Sequence, residues 1–229
     1  MFDLFLPERC IHCEQPSIHS MNAAGRGMLS HYICEVCQRI LEHQEQPKDE
    51  YVRNQFDRIA SHIELAHCSA AYTFVAGSPI QSIIHACKYS GMQRLASTLG
   101  EGISGLAPAM TSIVIPVPLH RTRLAERGYN QAEALALGVA KRSNSRVIPA
   151  IKRVRPTPSQ THLTLPERID NVQGAFALTR HAVAIKDKNV LIVDDVMTTG
   201  STLASVAETV FSAKPKSVSI LALAAATRV

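Results

Sequence analysis

Two stretches of this sequence carry residues whose types and spacing suit chemistry. The first is VLIVDDVMTTGSTL, Val190 to Leu203. An apolar run ends in two adjacent acids, Asp194 and Asp195. A short hydroxyl-rich loop, Thr198-Thr199-Gly200-Ser201-Thr202, then opens a helical pattern. In a parallel sheet, ligands bind beyond the carboxyl ends of the strands. Backbone N–H groups at a helix N-terminus cradle a phosphate, and the helix dipole favours its charge. Gly200 permits close backbone approach, and the threonine and serine hydroxyls add donors. Two carboxylates just ahead of such a loop suit a pair of ribose hydroxyls, or magnesium held directly or through water. The pattern predicts a site for a 5-phosphorylated ribose. A plain strand-to-helix turn needs one capping hydroxyl and leaves the adjacent acids without a reason. The segment is neither a P-loop nor a dinucleotide fingerprint, because GxxxxGK[ST] and GxGxxG are both absent.

The second stretch holds two CxxC pairs, Cys10-Ile-His-Cys13 and Cys34-Glu-Val-Cys37, 20 residues apart. That is the ligand spacing of a structural zinc site. Each CxxC turn brings two thiolates onto one ion, and two turns close a tetrahedron. The residues between are polar and glycine-containing, so a metal would supply the order that a small core cannot. Disulfides suit a cytosolic chain poorly, and a redox motif needs only one pair. Four thiolates leave no open position, so this site is structural, and His12, His19 and His31 are read as surface residues. Cys68 and Cys87 stand alone and are read as packing residues.

The chain that must position these groups has 229 residues, 46% of them hydrophobic and 19% charged, which excludes a wholly disordered protein. No apolar run reaches the roughly 20 residues of a membrane span. The N-terminus, with Pro7 and no basic region, does not read as a signal peptide. A cytoplasmic protein is expected. Strands are predicted at Ala70–Val75, Ser112–Val117, Val147–Ile151, Val190–Val193 and Ser217–Leu223. Helices are predicted after Pro79, over Met92–Leu106, Asn130–Arg142 and Ser201–Ala213. Gln38 to Asp57 reads as a helix end and polar connector, with the domain boundary near Pro47: residues 1–60 a zinc-knuckle segment, residues 61–229 the main domain. Alternating strands and helices indicate an α/β domain with a mostly parallel sheet. Arg153 to Gly174, with three prolines, reads as a long loop. The formal net charge is +5, and between Arg121 and Arg155 nine bases face two acids. Such a stretch suits phosphate contact, in nucleic acid or in a small ligand.

The loop from Asp194 to Thr202 resembles the signature with which type I phosphoribosyltransferases bind 5-phosphoribosyl pyrophosphate (PRPP). The rest of the chain is similar to the ComF family of competence proteins. The matching pieces, in order, are the paired CxxC knuckle, IQSIIHACKYSG (Ile80 to Gly91), PVPLHRTRLAERGYNQ (Pro116 to Gln131), RVRPTPSQTHLTLPERIDNVQGAF (Arg153 to Phe176) and the PRPP loop. The resemblance implies a phosphoribosyltransferase-like parallel sheet flanked by helices, with a small N-terminal four-cysteine zinc knuckle. It implies that Asp194 and Asp195 contact the ribose hydroxyls, and that Thr198, Thr199, Gly200, Ser201 and Thr202 bind the 5-phosphate. The loop near Leu119 to Arg123 would take pyrophosphate, with Arg121 and Arg123 as charge partners and magnesium accompanying the phosphates. Arg153 to Asn171 resembles a substrate-covering loop, with Arg155, Gln160 and Arg168 as its contacts. The family's association is with natural transformation, so single-stranded DNA and competence-machinery proteins are implied partners. The alternatives are a phosphoribosyltransferase acting on an unidentified acceptor, with Asp194, Asp195 and Arg121 as its catalytic groups, and a regulator that binds PRPP without turnover.

Overall fold

Val190-Leu191-Ile192-Val193 has apolar side chains on both faces, which demands cover on both sides. In the computed structural model, which describes residues 9–16, 29–156 and 174–226, it lies at the heart of a five-stranded sheet. The strands are β1 (His67–Phe74), β2 (Ile113–Pro116), β3 (Arg146–Val147), β6 (Asn189–Met197) and β7 (Ser217–Ala226), in the order β1-β7-β6-β2-β3. Every pairing is parallel. Val193 lies beside Pro116 on one side and Leu221 on the other. The helices are α1 (Glu35–Glu42), α2 (Asp49–Ala60), α3 (Pro79–Tyr89), α4 (Gln93–Ile103), α5 (Arg121–Arg127), α6 (Gln131–Ser143) and α7 (Ser201–Phe211). A separate antiparallel ribbon pairs β4 (Ile151–Arg153) with β5 (Phe176–Leu178).

Strand alternation sorts the core into two layers. Ile113, Ile115, Val190, Ile192, Val218 and Ile220 pack with Val52 and Phe56 of α2 and with Leu203 and Val206 of α7. Val114, Leu191, Val193 and Leu221 point the other way, onto α3, α4 and α6. Cys10, Ile33, Cys37 and Leu41 belong to this second layer, together with Ile80, Ile83, Ile84 and Cys87 of α3. The cysteine segment is therefore built into the wall of the sheet domain. Helices α4 and α6 touch backbone to backbone at Gly100 and Gly138: a Cβ on Gly138 would fall 2.1 Å from the Ser97 carbonyl oxygen.

The structure corrects several expectations. Strand β6 does not stop at Val193 but runs through both acids to Met197, because β7 continues beside it with Ala222, Ala224 and Ala225. The expected strand at Val147–Ile151 is broken at Pro149 into β3 and β4, which join different sheets. The polar connector is largely helical. Val52, Phe56 and Ala60 recur every fourth residue in α2 and are fully buried. Ser78 and Pro79 do open α3, but the Ser78 hydroxyl donates to the Val75 carbonyl and caps nothing. Cys68 and Cys87 are buried, as packing residues should be. Residues 157–173, with Gln160 and Arg168 of the expected covering loop, lie outside the described residues. Among those described, no helix is long and apolar enough to cross a membrane.

Candidate functional site

The carboxyl end of β6 carries Asp194 and Asp195 to the foot of a cavity of about 510 Å³. Thr198 and Thr202 line it from the loop and first turn of α7. Lys88 lines it from α3, Arg123 and Arg127 from α5, and Arg153 from β4. Asp194 turns back on its own chain, its Oδ1 accepting the N–H of Asp195 at 2.9 Å. Lys88 Nζ lies 2.9 Å from Asp195 Oδ2. Burial, and then the charge of Asp195, push the Asp194 carboxyl up to about 7, against the Asp195 N–H, Lys88 and Arg153. Burial and the nearby Arg123 lower the pKa of Arg153, against the charge of Asp194. Two acids and four bases therefore line one cavity, with Lys88 and Arg153 each close to one of the acids. That arrangement fits a ligand that carries both hydroxyls and phosphates.

The phosphate loop is built for close approach. Gly200, the N-cap of α7, has φ +86°; a Cβ there would fall 3.1 Å from Met197 Cε and in contact with the Gln55 and Phe56 backbone of α2. A side chain there would be strained and would crowd Met197. The Thr199 and Ser201 hydroxyls lie 3.1 Å apart, at the start of the helix. Thus α2, which looked like a connector, supports the loop from behind.

The segment after β2 is a helix start and not the loop expected near Leu119 to Arg123. His120 takes the N-cap position of α5, and its Nδ1 accepts the N–H of Thr122. Glycine at 128, with φ +78°, ends the helix after two turns. Asn130 then ties the turn down: its amide donates to the Val117 carbonyl, and its Oδ1 accepts the N–H of Ala132 to start α6. This places Arg123 and Arg127 on the cavity wall, while Arg121 is exposed at the first residue of α5 and does not line it. The basic stretch also divides: Lys141 and Arg142 pair with Glu101, away from the site.

Sequence reasoning gave no role to Lys88. Its signal was a polar stripe, Gln81, His85 and Lys88, on an otherwise apolar helix, all three of which line the cavity. Arg127 lies within the PVPLHRTRLAERGYNQ segment. Its guanidinium donates to Gln131 and lies 5.4 Å from the Tyr89 ring centroid.

The sulfurs of Cys10, Cys13, Cys34 and Cys37 lie within 4.8 Å of one another. Cys13 Sγ is 3.5 Å from Cys34 Sγ and 3.6 Å from Cys37 Sγ. A tetrahedral zinc with sulfurs at about 2.3 Å needs edges of about 3.8 Å, so the set fits such an ion. Burial raises the Cys10 thiol, but hydrogen bonds from the Cys13, Cys34 and His12 backbone outweigh it and bring it down to about 7. At Cys10 backbone N–H groups directed at sulfur favour the thiolate that a metal requires, whereas burial and the neighbouring cysteines push the Cys37 thiol up.

The phosphoribosyl transferase domain model matches residues 124–228, which include both acids and the whole phosphate loop. The chain is 38% identical over 96 residues to Competence protein F of Haemophilus influenzae, covering 39% of this chain and 40% of that protein. It is 31% identical over 141 residues to DNA utilization protein YhgH of Escherichia coli O6:H1, covering 57% and 60%. It is 28% identical over 107 residues to Competence protein ComFC of Bacillus subtilis, covering 47% and 41%. The chain thus spans between two fifths and three fifths of the length of these curated relatives. With its parallel sheet, its four-cysteine cluster and these relatives, the chain is similar to the ComF family of phosphoribosyltransferase-like proteins.

Proposed function

We propose that this protein binds PRPP in the cavity at the end of β6 and serves the handling of incoming single-stranded DNA in natural competence. The observation that carries the PRPP reading is the lining of the cavity. Asp194 and Asp195, with Thr198 and Thr202 of the loop and first turn of α7, share it with Arg123, Arg127 and Arg153. In this reading Asp194 and Asp195 accept hydrogen bonds from the ribose hydroxyls. Thr198 to Thr202 take the 5-phosphate on the backbone and hydroxyls of the helix start. Arg123 takes pyrophosphate, and Arg121, exposed at the first residue of α5, adds positive charge to the same helix. The cavity's carboxylates are oxygen donors of the hard kind that magnesium prefers, and magnesium enters with the phosphates of PRPP, whose charge it neutralises. Zinc is the ion of the four-cysteine cluster. Residues 1–60 form the knuckle and its connector, and residues 61–229 the PRPP-binding domain. The protein works in the cytoplasm. The competence role draws on the relatives named for competence and DNA utilization.

A second reading is a phosphoribosyltransferase that releases pyrophosphate. It is favoured by the size of the cavity, about 510 Å³, whose lining also includes Phe74, Ile84 and His85 and which leaves room for an acceptor. Catalysis would come from positioning and electrostatics, with Asp194, Asp195 and Arg121 in its service. The test is calorimetric titration of PRPP with magnesium, on this protein and on the Asp194→Asn, Asp195→Asn double variant, while pyrophosphate release is followed. Binding that the variant loses supports the site, and release only with an acceptor supports the enzyme. No binding by folded, zinc-loaded protein refutes the PRPP reading.

A further inference from the structure

Lys88 is shared by two neighbouring cavities. Its Nζ pairs with Asp195 Oδ2 at 2.9 Å, with the two side chains 22% and 17% exposed. The same residue lines a second cavity of about 350 Å³ beside the first, together with Arg123, Arg127, Tyr89 and Glu126. Three bases and one acid therefore border this space, which shares Lys88, Arg123 and Arg127 with the first cavity. The surroundings of Lys88 are fastened. The Tyr129 hydroxyl donates to the carbonyl of Cys87, the residue before it, and so ties α3 to the turn between α5 and α6. Arg127 is held by Gln131 and by the ring of Tyr89. Against these fixed neighbours, the four-carbon stem of lysine gives its ammonium group the reach to turn either way.

Without ligand, the Lys88 charge offsets Asp195, which stands directly beside Asp194. A carboxylate engaged by an ammonium group is a poor acceptor for a ribose hydroxyl. A pyrophosphate group, carrying several negative charges, offers Lys88 a stronger pairing than one carboxylate. We infer that Lys88 is an exchange residue: it guards Asp195 in the free protein and passes to the pyrophosphate of the ligand, releasing Asp195 to the ribose. This rests on the PRPP reading and deepens it, since it makes ribose recognition depend on the pyrophosphate. A ribose 5-phosphate lacking pyrophosphate has to displace Lys88 without offering it anything in return.

The test compares PRPP, ribose 5-phosphate and inorganic pyrophosphate, each with magnesium, on the wild type, Lys88→Met and Lys88→Arg, by calorimetry. Lys88→Met keeps the length of the side chain and removes its charge. Its PRPP and pyrophosphate affinities fall about tenfold or more, as expected for loss of a charge-assisted contact, while ribose 5-phosphate binds as tightly as to the wild type or tighter. Lys88→Arg restores most of the PRPP affinity. A Lys88→Met protein that weakens ribose 5-phosphate and PRPP equally overturns the exchange and leaves the PRPP site standing. A wild type that binds pyrophosphate but not PRPP overturns both. A circular dichroism spectrum and melting curve of each variant separate these outcomes from misfolding.

Discussion

Asp194 is placed where an ionised carboxylate is least welcome, and the cost should be measurable. It is largely enclosed at the end of β6, beside a second acid, and its pKa is pushed up from 3.8 to about 7. At about 1.36 kcal/mol per unit, ionising it in the folded chain costs on the order of 4 kcal/mol. Because folding raises the pKa, the folded protein holds more protons than the unfolded one between about pH 4 and 7. The stability contributed by the protonated acid is complete at low pH and is lost as the pH rises through that window. Asn at this position keeps the size and the oxygen that accepts the Asp195 N–H, and it never ionises.

Asp194→Asn is therefore expected to stabilise the protein, and more at pH 8 than at pH 5. The difference between the two gains should be about 2–3 kcal/mol. The assay is urea unfolding of both proteins at each pH, without magnesium or PRPP and with equal zinc. Titration of the cysteines is common to both proteins and cancels in the comparison. Two outcomes refute the reasoning: an Asn variant less stable at pH 8, or a gain that does not change with pH. The same variant should bind PRPP more weakly, so stability and binding move in opposite directions at this residue.

Other perturbations test the frame. Gly138→Ala drives a Cβ into the Ser97 carbonyl, a backbone atom that cannot swing aside, and should cost about 3 kcal/mol or more in urea unfolding. Gly200→Ala forces a side chain into the left-handed region at φ +86° and against Met197. It should cost about 1–2 kcal/mol and lower PRPP affinity further than that loss explains, which calorimetry on the folded variant would show. Removing zinc with a chelator should speed amide exchange over residues 31–44, where α1 carries Cys37 and follows Cys34, and leave the amides of β6 and β7 protected. Equal acceleration in the sheet would refute a local role for the metal.

The parts of the fold legible in the sequence are those where local pattern and tertiary demand agree. The VLIV run announces a strand covered on both faces, and NQAEALALGVAKR announces α6, down to the asparagine that caps it. The ends of β6 and β7 were not legible because the alanines at 222–226 have little strand preference of their own. They pair with Asp194 to Met197 only because the sheet holds them there. Helix α2 was hidden by its charge: Val52, Phe56 and Ala60 are spaced correctly, but the residues between them are mostly polar. Helix α5 starts at a histidine, an uncommon cap, and so read as loop. In the site, the acids and the phosphate loop are contiguous and stand out. Lys88 and Arg153 reach the cavity from elements distant in sequence, and no spacing rule connects them to Asp195 and Asp194.

Three unfavourable features of this molecule meet at one place. Asp194 sits beside Asp195, Arg153 is crowded by Arg123, and Gly200 is held at a positive φ. Each lowers stability alone, and strain of this kind persists where surrounding structure imposes it. The surroundings here are rigid by construction: α2 stands behind Gly200, Tyr129 pins the end of α3, and the four-cysteine segment packs against the other side of that helix. One ligand relieves every conflict together, with hydroxyls toward the acids and phosphates toward the bases and the helix start. A scaffold with no ligand to bind would gain stability from an asparagine at 194 and a neutral residue at 153. That both charges stand in place in one cavity is the physical argument for binding a phosphorylated sugar. It also explains why Lys88, which pairs with Asp195 there, is the residue through which the two kinds of group communicate.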